Sequence, residues 1–86
     1  MDVTLEQARV LEAVARCGTI QKAAAELHRG HSAVLYSLKT LEEQTRLTLF
    51  DRRGHRNQIT LEGEIVLKYC RKLLEVKREL AEACHQ

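Results

Sequence analysis

The sequence predicts a mainly α-helical fold in which three short helices, a small β-hairpin and one long C-terminal helix follow one another. Three observations carry this expectation. The 86 residues contain no proline and only 3% aromatic residues, while Ala, Leu, Glu, Lys and Arg, all good helix formers, are abundant. Apolar residues recur at helical spacing in four separate stretches. Between the third and fourth stretches, two short β-prone runs flank a polar turn.

Thr4 followed by Gln7 is a capping-box pattern, which starts a first helix near Leu5. Leu5, Ala8, Leu11 and Val14 then repeat at helical spacing, and Gly18 is a natural stop. Thr19 can cap a second helix running to about Leu27, with Ile20, Ala23, Ala24 and Leu27 facing inward. Gly30 is expected to break it. A third helix from His31 or Ser32 to Thr45 buries Val34, Leu38 and Leu41, leaving His31, Leu35, Tyr36 and Lys39 on its other faces. Leu35 is apolar but lies off the buried stripe, so it is either partly buried or available to a ligand.

Helices two and three are joined by a tight turn at His28-Arg29-Gly30, and the small pair Ala23-Ala24 lets them cross closely. That is a helix-turn-helix, a motif mostly used to place its second helix in the major groove of DNA. Thr48-Leu49-Phe50 and Gln58-Ile59-Thr60 read as short strands around the loop Asp51-Arg52-Arg53-Gly54-His55-Arg56-Asn57, which makes a wing. Thr60 can cap a last helix from about Leu61 to Cys84. The expected architecture is therefore a winged helix-turn-helix over residues 1–60 and a linker helix for dimerisation over residues 61–86.

The last helix carries a heptad. Val66, Leu73 and Leu80 share one core position, and Tyr69, Val76 and Ala83 share the other. Such a seam predicts packing against another helix, most simply a second copy of the chain. The competing expectation is packing onto helix one of the same domain. Leu67, Cys70 and Leu74 widen the apolar face enough for both.

The formal charge of +2 is small, but it is unevenly placed. Residues 28–58 hold Arg29, Lys39, Arg46, Arg52, Arg53 and Arg56 against Glu42, Glu43 and Asp51; residues 1–27 are slightly acidic and residues 59–86 balance. A basic excess on the second half of the motif and the segment after it is the electrostatic footprint of phosphate contact. His31, Ser32, Leu35 and Tyr36, at the start of the third helix, are the candidates for base contact. Thr19, Gln21, Lys39, Arg52, Arg53 and Arg56 are the candidates for phosphate contact, Thr19 and Gln21 because a helix N-terminus favours an anion.

Other function classes find little support. No apolar run is long enough to span a membrane, and no signal peptide is read. Cys17, Cys70 and Cys84 are an odd set at irregular spacing, which fits a reducing cytoplasm better than a disulfide framework. Cys70 reads as a small core residue, whereas Cys17 and Cys84 lie near helix ends as candidate exposed thiols. His28, His31, Cys17 and His85 form no closed four-ligand set, so neither a metal nor another cofactor is expected. Paired carboxylates, a glycine-rich phosphate loop and a Ser/His/Asp arrangement are likewise not found, and no enzyme is read.

The ordered set of motifs resembles the N-terminal DNA-binding domain of LysR-type transcriptional regulators. Leu11 and Val14 precede Gly18-Thr19, where that family usually has Gly-Ser. Ala23-Ala24, Leu27, Ala33-Val34, Leu38-Lys39 and Leu41-Glu42 follow at its spacing. Leu49-Phe50-Asp51-Arg52 is similar to its Leu-Phe-acid-Arg signature, and Thr60 with Gly63 to its Thr-x-x-Gly. The resemblance runs from about Leu5 to Leu80. It implies a homodimer on a pseudo-palindromic operator, and a small-molecule effector acting only through a ligand-sensing domain absent from this chain. It also implies that the family's Arg at position 52 can pair with an acidic scaffold residue.

The departures fall on the reading surface. Where the family often has Gln, Pro and Ser, this chain has His31, Ser32 and Leu35. Tyr36 stands where Arg is common, Gly30 where a polar cap is, and Arg29 where an apolar residue is. A molybdate-responsive regulator, whose N-terminal domain shares the architecture, is the alternative within DNA binding. A winged-helix protein-interaction module without DNA binding is the alternative outside it.

Overall fold

A computed structural model describes residues 1–51 and 58–85. The order is α1 (Leu5–Cys17), α2 (Ile20–Leu27), α3 (His31–Thr45), β1 (Phe50–Asp51), β2 (Gln58–Ile59) and α4 (Leu61–Cys84).

The capping box at the start of α1 forms in full. The Gln7 amide donates to Thr4 Oγ1 at 3.1 Å, and the Thr4 amide donates to Gln7 Oε1 at 2.9 Å. Gly18 ends the helix in the left-handed conformation, φ 86°, its amide returning to the Val14 carbonyl at 2.9 Å. Ala8, Val10, Leu11, Ala13 and Val14 are all buried, because α1 packs against α2, α3 and α4 and is apolar on more than one side. Leu5 is a departure from the expected stripe. It sits in the first turn beside Tyr69 and Leu73 of α4 and is 42% exposed.

Two local expectations are corrected. Gly30 does not break α2; that helix ends at His28, which takes the left-handed conformation (φ 55°), and the Arg29 amide closes the turn onto the Ala24 carbonyl at 3.0 Å. Gly30, at φ −70°, is the extended N-cap of α3, a conformation open to any residue. The first strand lies further along than Thr48-Leu49-Phe50. The Glu42 carboxylate accepts the Leu49 amide at 2.8 Å and the Phe50 amide at 3.4 Å, so the ladder starts at Phe50. β1 and β2 then pair antiparallel, Phe50 opposite Ile59 and Asp51 opposite Gln58.

The core comprises α1, the inner faces of α2 and α3, Leu49 and Phe50 from the start of the wing, and Leu67 and Cys70 from α4. Val34, Leu38 and Leu41 line the buried stripe of α3 as expected. Leu27 is only partly buried at the outer end of α2. Cys70 is buried, and burial pushes its thiol pKa up. Cys84 is exposed, while Cys17 is half-buried.

Candidate nucleic-acid interface

The interface is built on the crossing of α2 and α3. Ala23 is fully buried and Ala24 nearly so, which lets the two helices approach without a side chain between them. Thr19 Oγ1 accepts the Lys22 amide at 3.1 Å, so the threonine caps α2. The remaining first-turn amides of a helix have no partner within it and carry the positive end of its dipole. Gln21 and Lys22 are exposed at this end, and Thr19 is half-buried.

On α3, His31, Ser32, Tyr36 and Lys39 are exposed, Tyr36 at 70%. Leu35 does both things its position allowed. It packs against the core cluster while also lining a shallow surface cleft with Ser32, Tyr36 and Lys39. These four residues follow i, i+3, i+4, i+7 spacing, one face of a helix. Three of the four candidate base-contacting residues, Ser32, Leu35 and Tyr36, are therefore brought together with Lys39 one turn further along, while His31 is exposed outside this cleft.

Three polar ties fix the helix-turn-helix to α1. Gln7 Nε2 donates to Thr40 Oγ1 at 3.0 Å, and Thr40 Oγ1 donates to the Ser37 carbonyl at 3.0 Å. Gln7 thus caps α1 with one end of its amide and holds α3 with the other. Arg29 Nη2 pairs with Glu6 at 3.0 Å, tying the turn to α1. Arg16 bridges Glu12 on α1 and Glu26 on α2. Its hydrogen bond to Glu26 holds that carboxyl below its usual pKa and raises the guanidinium further. All these ion pairs are solvent-exposed, so they orient rather than stabilise.

Arg52, Arg53 and Arg56, expected to contact phosphate, lie outside the described residues. The base of the wing is fixed: Leu49 and Phe50 are buried, and the Thr60 amide donates to the Leu49 carbonyl at 2.9 Å. Thr60 Oγ1 donates to the Thr48 carbonyl and accepts the Gly63 amide at 2.9 Å, joining the wing to the first turn of α4. A β-carbon on buried Gly63 would collide with the Leu49 carbonyl oxygen and come within 2.7 Å of Ile59 Cγ1. This close approach gives the Thr-x-x-Gly spacing its physical reason.

The long helix has two apolar faces. Gly63, Leu67 and Cys70 are buried, Leu74 and Val66 partly so, on the side toward the core. Tyr69, Leu73, Val76 and Leu80 are 47–63% exposed and, with Leu5, line an apolar groove edged by Lys72 and Lys77. Ala83 is exposed beyond them. Sequence reading missed Ile65, which is 60% exposed and one turn before Tyr69 on the same face. Counting back four residues from Tyr69 would have found it. It also missed Lys22, a cation on the first turn of α2, and the second partner of Gln7.

Among the described residues, no helix is long and apolar enough to cross a membrane, and no group of three His, Cys, Asp or Glu side chains is placed to hold a metal ion.

A helix-turn-helix carrying a two-stranded wing and followed by a long helix defines a winged helix-turn-helix module. Residues 5–64 match the family model of the bacterial regulatory helix-turn-helix proteins, lysR family, and the chain belongs to that family. It is 44% identical over 78 residues to the probable HTH-type transcriptional regulator YhaJ of Escherichia coli K12, covering 91% of this chain and 26% of that protein. It is 40% identical over 82 residues to the RuBisCO operon transcriptional regulator of Allochromatium vinosum, covering 95% and 27%. The fold matches the BenM DNA-binding domain in its complex with benA site 1 DNA, with a TM-score of 0.89 at 24% identity, covering 95% and 92% of the two chains. The chain spans about a quarter of the length of the curated relatives it matches.

Proposed function

We propose that this chain is the sequence-specific DNA-binding domain of a LysR-type transcriptional regulator and binds a pseudo-palindromic operator as a homodimer. The observation that carries this is the outward face of α3, where Ser32, Leu35, Tyr36 and Lys39 are presented together by a helix that the core and Gln7 hold in place. Residues 1–60 supply the reading unit, and residues 61–86 the dimer contact. His31, Ser32, Leu35 and Tyr36 meet base edges in the major groove. Thr19, Gln21, Lys39, Arg52, Arg53 and Arg56, joined by Lys22, meet phosphates. The chain acts by binding rather than catalysis, in the cytoplasm where bacterial DNA is reached. A small-molecule effector acts through a part of the regulator outside these 86 residues.

Val66, Tyr69, Leu73, Val76, Leu80 and Ala83, with Ile65 added, form the dimer seam. Exposed apolar side chains from Ile65 to Leu80 are the supporting observation, while Val66, partly buried against the core, lies at the edge of this stripe. Their spacing suits an antiparallel two-fold pairing: aligning Ile65 with the partner copy's Leu80 also aligns Tyr69 with its Val76 and brings the two Leu73 side chains to the axis. Two recognition helices then enter successive major grooves.

The test is fluorescence anisotropy of the chain with a duplex enriched by it from a random library, against a scrambled duplex. Preference for the enriched duplex, with affinity that falls as salt rises, is expected. Salt-insensitive affinity, or no affinity, overturns the reading. Capture of a partner protein in that event supports a protein-interaction module.

A further inference from the structure

We propose that the recognition face selects its site by apolar contact with the C5-methyl groups of thymine, through Leu35 and Tyr36, rather than by paired hydrogen bonds to purines. This rests on the DNA-binding reading above and names the chemical feature that reading leaves open.

The first two turns of α3 read His31-Ser32-Ala33-Val34-Leu35-Tyr36-Ser37-Leu38. Guanine is read by the two-pronged donors of Arg or Lys, and adenine by Asn or Gln. None of these four residue types occurs between His31 and Leu38. Lys39 is the first, and it lies at the far end of the cleft, past the N-terminal residues that a recognition helix directs at base edges. His31 and Ser32 can each form single hydrogen bonds, which tolerate several bases. The rest of the surface is mostly apolar: the outward edge of Leu35, the exposed Ala33 methyl and the ring of Tyr36, 70% exposed, whose hydroxyl offers one further single hydrogen bond.

The major-groove floor is otherwise a row of hydrogen-bond donors and acceptors, and its one apolar group is the thymine methyl. Leu35 against that methyl removes two apolar surfaces from water. Against cytosine or a purine edge it buries polar groups without partners. Discrimination therefore has an attractive part and a repulsive part. Leu35 is already half-buried against the core, so its side chain loses little freedom on docking. The basic excess of residues 28–58, with Lys39 at the edge of the cleft, suits the phosphates on either side of such a base step.

The test uses the enriched duplex resynthesised with deoxyuridine for thymidine, which removes the methyl and leaves base pairing unchanged. Affinity is expected to fall about fourfold for each contacted methyl. Leu35→Ala should lower the thymidine-to-deoxyuridine ratio while leaving the salt dependence of binding to scrambled DNA unchanged. Because Leu35 also touches the core, Tyr36→Ser, at an exposed position, provides a second variant that should reduce the same ratio. Equal affinity for the two duplexes, with preference over scrambled DNA retained, overturns methyl readout and leaves the DNA-binding reading standing. Failure to enrich any sequence overturns both.

Discussion

His28 ends α2 in a conformation that disfavours any residue with a β-carbon, at φ 55°. The turn needs that conformation because the Arg29 amide must reach the Ala24 carbonyl. His28→Gly removes the steric cost and is expected to raise stability by about 0.5–1 kcal/mol at fixed protein concentration, seen as a higher thermal midpoint by circular dichroism. Gly63→Ala acts in the opposite direction. The added carbon meets the Leu49 backbone, and a destabilisation of about 1–3 kcal/mol is expected in the same measurement. Gly18 could be read from sequence as a helix end because its role is local. The turn could not be assigned to His28 in the same way, since Gly30 two residues later offered the more obvious left-handed residue, and only the closing hydrogen bond decides between them. Leu35 was ambiguous for a similar reason: a periodicity count assigns one face to each residue, whereas this one lies on the boundary.

At the scale of elements, α4 separates its apolar residues onto two faces that one sequence stripe runs together. The face carrying Leu67 and Cys70 is held by α1, while that carrying Tyr69, Leu73, Val76 and Leu80 is exposed. Replacing Leu73 and Leu80 with Glu is expected to leave the monomer fold intact, because neither is buried within it, and to give the monomer mass by sedimentation equilibrium. An unchanged dimer mass would place the contact elsewhere. The starts of α1, α2 and α4 were legible, since Thr4, Thr19 and Thr60 each cap with their own side chain. The strand register was not. It depends on Glu42, on a different element, claiming the Leu49 and Phe50 amides, and no pattern within Thr48-Leu49-Phe50 reveals that. The tie from Gln7 to Thr40 was hidden by 33 residues of separation, although half of its partners were plain in the capping box.

For the whole molecule, the relevant electrostatic quantity is where charge lies rather than its sum of +2. Each side chain that neutralises a phosphate adds about 1 to the steepness of log affinity against log salt, so Lys39→Gln should lower that steepness by about 2 in a dimer, without changing which sequence is preferred. A larger change in preference than in steepness would make Lys39 a base-reading residue. The fold as a whole was legible because capping and periodicity agreed over the four helices. The proposed reading surface can be placed on α3 from sequence, but its operator cannot be named: its residues depart from the pattern that would have supplied one.

α1 contacts both the reading helix and the first half of α4, and Thr60 and Gly63 bind the start of α4 to the base of the wing. α3 and α4 thus pack on one shared helix, so the homodimer proposed above would hold its two reading heads at a set distance. A paired molecule of this kind measures the gap between half-sites as a caliper does. Inserting about five base pairs into the operator turns one half-site to the opposite side of the duplex, and about ten restores its facing but moves it about 34 Å away. A jointed dimer would recover affinity on the second insertion. This one should recover none, each half-site binding as though it stood alone.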